Sequence, residues 1–144
     1  MSKTDSNQFI GTKGSDYHKR KAYDKVKELI RNTPGAKTKA MAVGAYDEKT
    51  GICIATFAGA IPKKIHPKLK ALAERVGGFG TLGVSERNTV GVCAEFHAVN
   101  QMLYAGCKLE DIKLTRAIRP RTGAVMPYCD NCRVMFAEII SRSG

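Results

Sequence analysis

The chain has 144 residues and a mass of 15.7 kDa, one domain's worth, and folding hides roughly two-thirds of the surface of such a chain, so a core forms without disulfide staples. An apolar share of 43% beside 26% charged residues excludes wholesale disorder, collagen-like repeats and low-complexity folds. Twenty-four Lys and Arg against thirteen Asp and Glu leave +11, which points towards a polyanionic or acidic partner but selects no function alone.

Residues 1–15 mix Ser, Thr, Asn, Lys and Gly without periodicity and read as a flexible polar arm ahead of a single domain over residues 16–144. The arm has no hydrophobic stretch of the kind a secretory signal needs, and no window approaches ~18 uninterrupted apolar residues, so membrane insertion is not expected. From Asp16, Tyr23, Val26, Leu29 and Ile30 recur at helical spacing, and Asn32-Thr33-Pro34-Gly35 ends the run. Ala40–Tyr46 and Ile52–Ala58 form a hairpin around a Gly-containing turn, and their continuous hydrophobicity predicts cover on both faces. Pro67–Val76 reads as a short basic helix. Residues 77–83 are too glycine-rich for helix or strand and read as a loop; no Lys-Ser/Thr pair follows them to make a phosphate cradle. The remaining expectations are a helix over residues 93–105, a strand Ile112–Ile118, a basic turn Arg119–Met126 and a last helix Cys129–Ile140.

Five cysteines, an odd number in a domain that needs no staples, shift attention from disulfides to metal or thiol chemistry. Cys129-Asp130-Asn131-Cys132 opens the last helix, where one turn brings both sulfurs to one point. A thioredoxin-like redox pair is the competing reading, but the residues after Cys132 are too few for the sheet such a fold places there. The second cluster is Cys93-Ala94-Glu95-Phe96-His97. Glu95 heads the apolar stripe of its helix, either as a solvated first-turn carboxylate or as a proton carrier facing a pocket. His97, one turn from Cys93, offers a closed Cys₃His structural zinc site as an alternative. Cys53 and Cys107 read as small buried residues.

Cys93-x-Glu95, a strand-length interval and Pro127-x-Cys129-x-x-Cys132 together resemble the signature of the zinc-dependent cytidine deaminase superfamily, and the element order over residues 40–140 is similar. The CAEFHA stretch and the short C-terminal helix most resemble the YwqJ-like deaminase domains of bacterial polymorphic toxins. The resemblance implies a three-layer α/β/α fold around a central mixed sheet of three or more strands, without the last two strands of the family. It implies one Zn²⁺ held by Cys93, Cys129 and Cys132 with the fourth position left to water, and Glu95 as general acid and base. Three features depart from the family pattern: Tyr128 stands between the proline and the first cysteine, Phe96 follows the glutamate where free-nucleoside deaminases carry Arg, and the final strands are missing.

Candidate substrate contacts are Asn88, Ala94, Tyr128, Arg119 and Arg121. The expected substrate is cytosine in nucleic acid, single-stranded DNA ahead of RNA, because Lys63, Lys64, Lys68 and Lys70 on one side of the motif and Arg116, Arg119 and Arg121 on the other should rim the pocket as a phosphate track. A free cytidine or nucleotide deaminase and a non-catalytic, structural-zinc nucleic-acid-binding module are the alternatives. The toxin resemblance further implies export within a larger protein, action in a target-cell cytoplasm and an acidic immunity protein as partner.

Overall fold

The computed structural model describes residues 11–85 and 88–143. Residues 1–10 of the expected arm lie outside that range, and helix α1 (Gly11–Asn32) begins ahead of Asp16. Its helical spacing puts Ala22 and Val26 against the sheet, where both are fully buried. Strands β1 (Ala42–Tyr46) and β2 (Cys53–Phe57) pair antiparallel, with Ala42 opposite Phe57 and Tyr46 opposite Cys53. Their turn is closed by Asp47, whose carboxylate accepts from the Lys49 amide at 2.9 Å, and by Gly51 at φ 76°.

Helix α2 (Pro67–Ala73) starts with proline at its first position and the His66 ring accepting from the Lys68 amide at 3.2 Å, and it tightens into a 3₁₀ turn through Val76. The glycine-rich segment after it is a loop. Helix α3 (Ala94–Tyr104) then crosses the sheet, followed by β3 (Lys113–Leu114), β4 (Ala117–Ile118), β5 (Val125–Met126), α4 (Asp130–Met135) and α5 (Ala137–Ser143).

Three expectations are corrected in this half. The strand expected over Ile112–Ile118 is split into β3 and β4 because the Thr115 hydroxyl, not a backbone carbonyl, accepts from the Gly44 amide at 3.0 Å, forming a bulge. The basic turn reaches only to Ala124, since Val125 and Met126 fold back as β5 beside Ile118 and Ala117. The last helix breaks at Phe136, whose φ of −114° leaves the helical range; the Arg75 guanidinium donates to the Met135 carbonyl at 3.2 Å and grips Glu138 at 2.7 Å, holding both sides of the break.

The sheet has five strands in the order β2-β1-β4-β5 with β3 also on β1, and every pairing is antiparallel. It is therefore not the mixed sheet expected. β1 lies between β2 and the β3–β4 line, and β4 lies between β1 and β5, so strands that run in the same direction never pair side by side. Side chains alternate along β1: Val43 and Ala45 join Leu69, Phe96, Met102, Leu114 and Phe136 in the larger core, whereas Ala42 meets Val26 and Ile118 beneath α1. The protein is thus a mixed α/β chain with helices on both faces of the sheet. α1 lies very close to the sheet, since a Cβ on Gly44 would come within 2.8 Å of the Ala22 carbonyl oxygen.

Candidate metal centre and cavity

Two helix starts meet beside the sheet. Cys93 is the N-cap of α3 and Cys129 the N-cap of α4, while Cys132 lies one turn into α4 and is fully buried. The three sulfurs lie within 4.8 Å of one another, with Cys93 and Cys129 Sγ atoms 3.0 Å apart. Among the described residues no other His, Cys, Asp or Glu group converges in this way. Three soft donors from two helix starts form a set that suits a tetrahedral thiophilic ion and leaves one position for another ligand, so this cluster can hold a metal.

The thiols are already polarised. Hydrogen bonds from the Cys132 and Cys93 thiols, with help from the Cys132 and Asn131 amides, hold Cys129 well below the usual thiol range. Cys93 and Cys132 move the other way because each donates to the Cys129 sulfur. Of the three thiols, Cys129 is the one this network favours in its charged form.

Glu95 follows two residues after Cys93, only 4% exposed, in the first turn of α3. Burial pushes its carboxyl up to about 7, against the pull of its own backbone amide and with a further push from the negative Cys129. It lines a cavity of about 400 Å³ together with Cys93, Cys129, Asn88, Ala94 and Pro127. The far wall comes from Ala40 and Met41 ahead of β1 and from Ala58, Gly59 and Ala60 after β2, where small side chains leave room for a flat ligand. Those small residues were visible in the sequence only as apolar strand ends.

His97 does not join the sulfurs. Its Nε2 sits 3.2 Å from the Gly59 carbonyl, tying α3 to the cavity wall, and the closed Cys₃His arrangement is not formed. Asn88 and Ala94 line the cavity, whereas Tyr128, Arg119 and Arg121 do not. The Tyr128 hydroxyl instead donates to the Thr115 carbonyl at 3.3 Å, and the Arg116 guanidinium carbon lies 5.8 Å from its ring centroid. Burial raises that phenol to about 12, consistent with a permanent donor. Arg119 and Arg121 belong to the hairpin between β4 and β5, where the Arg119 amide donates to the Ala124 carbonyl at 2.9 Å.

Of the lysines expected at the rim, Lys64 stands away from the cavity. The Lys64 ammonium lies 5.7 Å from the Tyr104 ring centroid at the far end of α3, about 13 Å along the helix from Glu95. Among the described residues, neither Lys nor Arg contributes to the lining. Lys39 and Arg116 directly precede the lining residues Ala40 and Ala117, but the Lys39 ammonium lies 5.9 Å from the ring centroid of Phe57, which packs on the α1 side, and Arg116 stands over Tyr128.

Asn131, inside the C-x-x-C turn, was not singled out by its sequence, yet it is fully buried and holds the loop that carries Asn88. Asn100 does the same for another loop, accepting from the His66 amide at 2.9 Å and donating to the Lys64 carbonyl at 2.8 Å. Cys53 and Cys107 stay apart from the cluster, as small partly or fully buried residues. Searches of protein families, of curated proteins and of solved structures return no match to this chain. The site is therefore argued from its own geometry.

Proposed function

We propose that this chain is a zinc-dependent hydrolase that deaminates cytosine to uracil, acting on nucleic acid. The observation that carries the reading is the convergence of three thiols, two of which, Cys93 and Cys129, line one cavity together with the buried carboxyl of Glu95. A structural zinc site needs no carboxyl at its edge and no cavity beside it. When bound, zinc supplies a polarised water at neutral pH.

The chain's own residues then divide the work. Cys93, Cys129 and Cys132 hold the ion. Glu95 takes a proton from the attacking water as the new C4–O bond forms and gives it to N3, then takes the proton of the new C4 hydroxyl and gives it to the exocyclic nitrogen. The C4–N bond breaks and ammonia leaves, so one water is consumed for each cytosine. Small residues from Ala58 to Ala60 admit the planar base, and a cavity of about 400 Å³ suits a nucleobase with part of its sugar. The +11 charge favours a phosphate-bearing polymer; single-stranded DNA avoids the cost of base flipping. Delivery as a toxin domain belongs to the same proposal through the family resemblance. A free nucleoside substrate is the second reading, favoured by a lining without Lys or Arg among the described residues.

The test is deamination of a cytosine-bearing oligonucleotide and of free cytidine by the zinc-loaded protein and by Glu95→Gln. The variant keeps zinc but loses at least about a hundredfold in turnover. Wild-type turnover in Glu95→Gln would falsify the assigned mechanism. Faster, salt-insensitive turnover of free cytidine would transfer the assignment to the second reading.

A further inference from the structure

Asn131 stands between two metal-ligand candidates in sequence, but its side chain faces away from both. Its Oδ1 accepts from the Val84 amide at 2.9 Å, and its Nδ2 donates to the Leu82 carbonyl at 3.1 Å and the Asn88 carbonyl at 2.9 Å. One buried amide thus satisfies three backbone groups of the segment whose Asn88 lines the cavity. Only a carboxamide does this, because the role needs an acceptor and two donors on one planar group.

The loop is shaped to receive it. Gly83 has φ 60°, and a Cβ there would collide with Asn131 Oδ1 and come within 2.9 Å of Val90 Cγ2 and 3.0 Å of the Val76 carbonyl oxygen. The glycine supplies both the left-handed conformation and the empty space. The Ser85 hydroxyl accepts from the Asn88 amide at 3.0 Å, so both backbone polar groups of Asn88 are tied.

We propose that Asn131 is a positioning residue that couples metal loading to the order of the cavity wall, so that an ion held by Cys129 and Cys132 fixes the backbone at Leu82, Val84 and Asn88 through this side chain. The inference rests on the metal-binding half of the function proposed above and not on the deamination. Binding to the turn restricts the backbone from Cys129 to Cys132, including the Asn131 rotamer, and the loop inherits that restriction through three hydrogen bonds. Linkage makes the coupling reciprocal: whatever loosens the loop weakens the metal by the same factor.

The Val84 amide is a direct reporter, since Val84 is 53% exposed while its N–H is held by Asn131. In wild type, its hydrogen exchange slows by at least about tenfold between chelated and zinc-loaded protein. Asn131→Asp, which keeps the acceptor but turns a negative oxygen towards two carbonyls, abolishes that slowing and weakens zinc binding by about 10–100-fold in competition with a chromophoric chelator. Gly83→Ala, which pushes from the loop side and leaves Asn131 in place, has the same two effects. Exchange in α1 serves as the control for global unfolding. Zinc stoichiometry well below one per chain in wild type would remove the metal reading and the coupling with it. Full loading with an unchanged Val84 rate, or with variants that keep wild-type zinc affinity, would overturn the coupling alone.

Discussion

Tyr128 interrupts the pattern in which proline directly precedes the first cysteine, and the extra residue serves packing. Its ring lies half-buried against the larger core and its hydroxyl holds the Thr115 carbonyl, so it braces the bulged strand beside the metal turn. Tyr128→Phe should therefore cost about 1 kcal/mol of unfolding free energy by denaturant titration while leaving zinc stoichiometry unchanged. A larger loss of metal than of stability would show that the phenol acts on the turn itself. Each pair, Cys93 with Glu95 and Cys129 with Cys132, was legible as a pair because it lies within one helical turn. The meeting of the two pairs was expected only from the family resemblance, since local spacing does not join cysteines 36 residues apart. Asn131 was not legible in the same way. A polar residue between two cysteines has no periodicity that announces a partner nearly fifty positions away.

At the scale of elements, the β1–β2 hairpin carries a titrating device in its turn. Asp47 is 1% exposed; burial pushes its carboxyl up, but the Lys49 amide, the Thr50 hydroxyl and the Cys107 thiol outweigh that and hold it below the usual range. A depressed carboxyl stabilises the fold above its ordinary value, and that contribution is lost as pH falls through the depressed one. Asp47→Asn should accordingly lower the melting temperature near pH 7 yet show a smaller further fall towards about pH 3 than wild type. Parallel melting curves for the two proteins across that range would sink the assignment. Helix and hairpin positions followed from hydrophobic spacing, but the bulge at Thr115 and the break at Phe136 did not. Both depend on a distant side chain or backbone, Gly44 in one case and Arg75 in the other, and local patterning is blind to such partners.

For the whole molecule, the metal cluster ties α3 to α4 across an interval of 36 residues. Chelation should lower the melting temperature by on the order of 10 °C when the free ion stands at about a thousand times its dissociation constant, measured by calorimetry with and without chelator. An unchanged transition would mean that the ion binds the unfolded chain as well as the folded one. The overall charge was legible from composition, whereas its placement required the fold: Lys64 lies near the opposite end of α3 from Glu95, and Lys39 stands over Phe57 on the α1 side. The bulge at Thr115 also has a consequence for parity. In an unbroken strand Leu114 and Ala117, three positions apart, would point to opposite faces, yet both belong to the larger core. The extra residue resets the count, so that alanine and not isoleucine borders the cavity while Ile118 goes to α1. The room available to a ligand is therefore determined by an odd number of residues in one strand, and a one-residue change of length there would alter the shape of the cavity without touching a metal ligand.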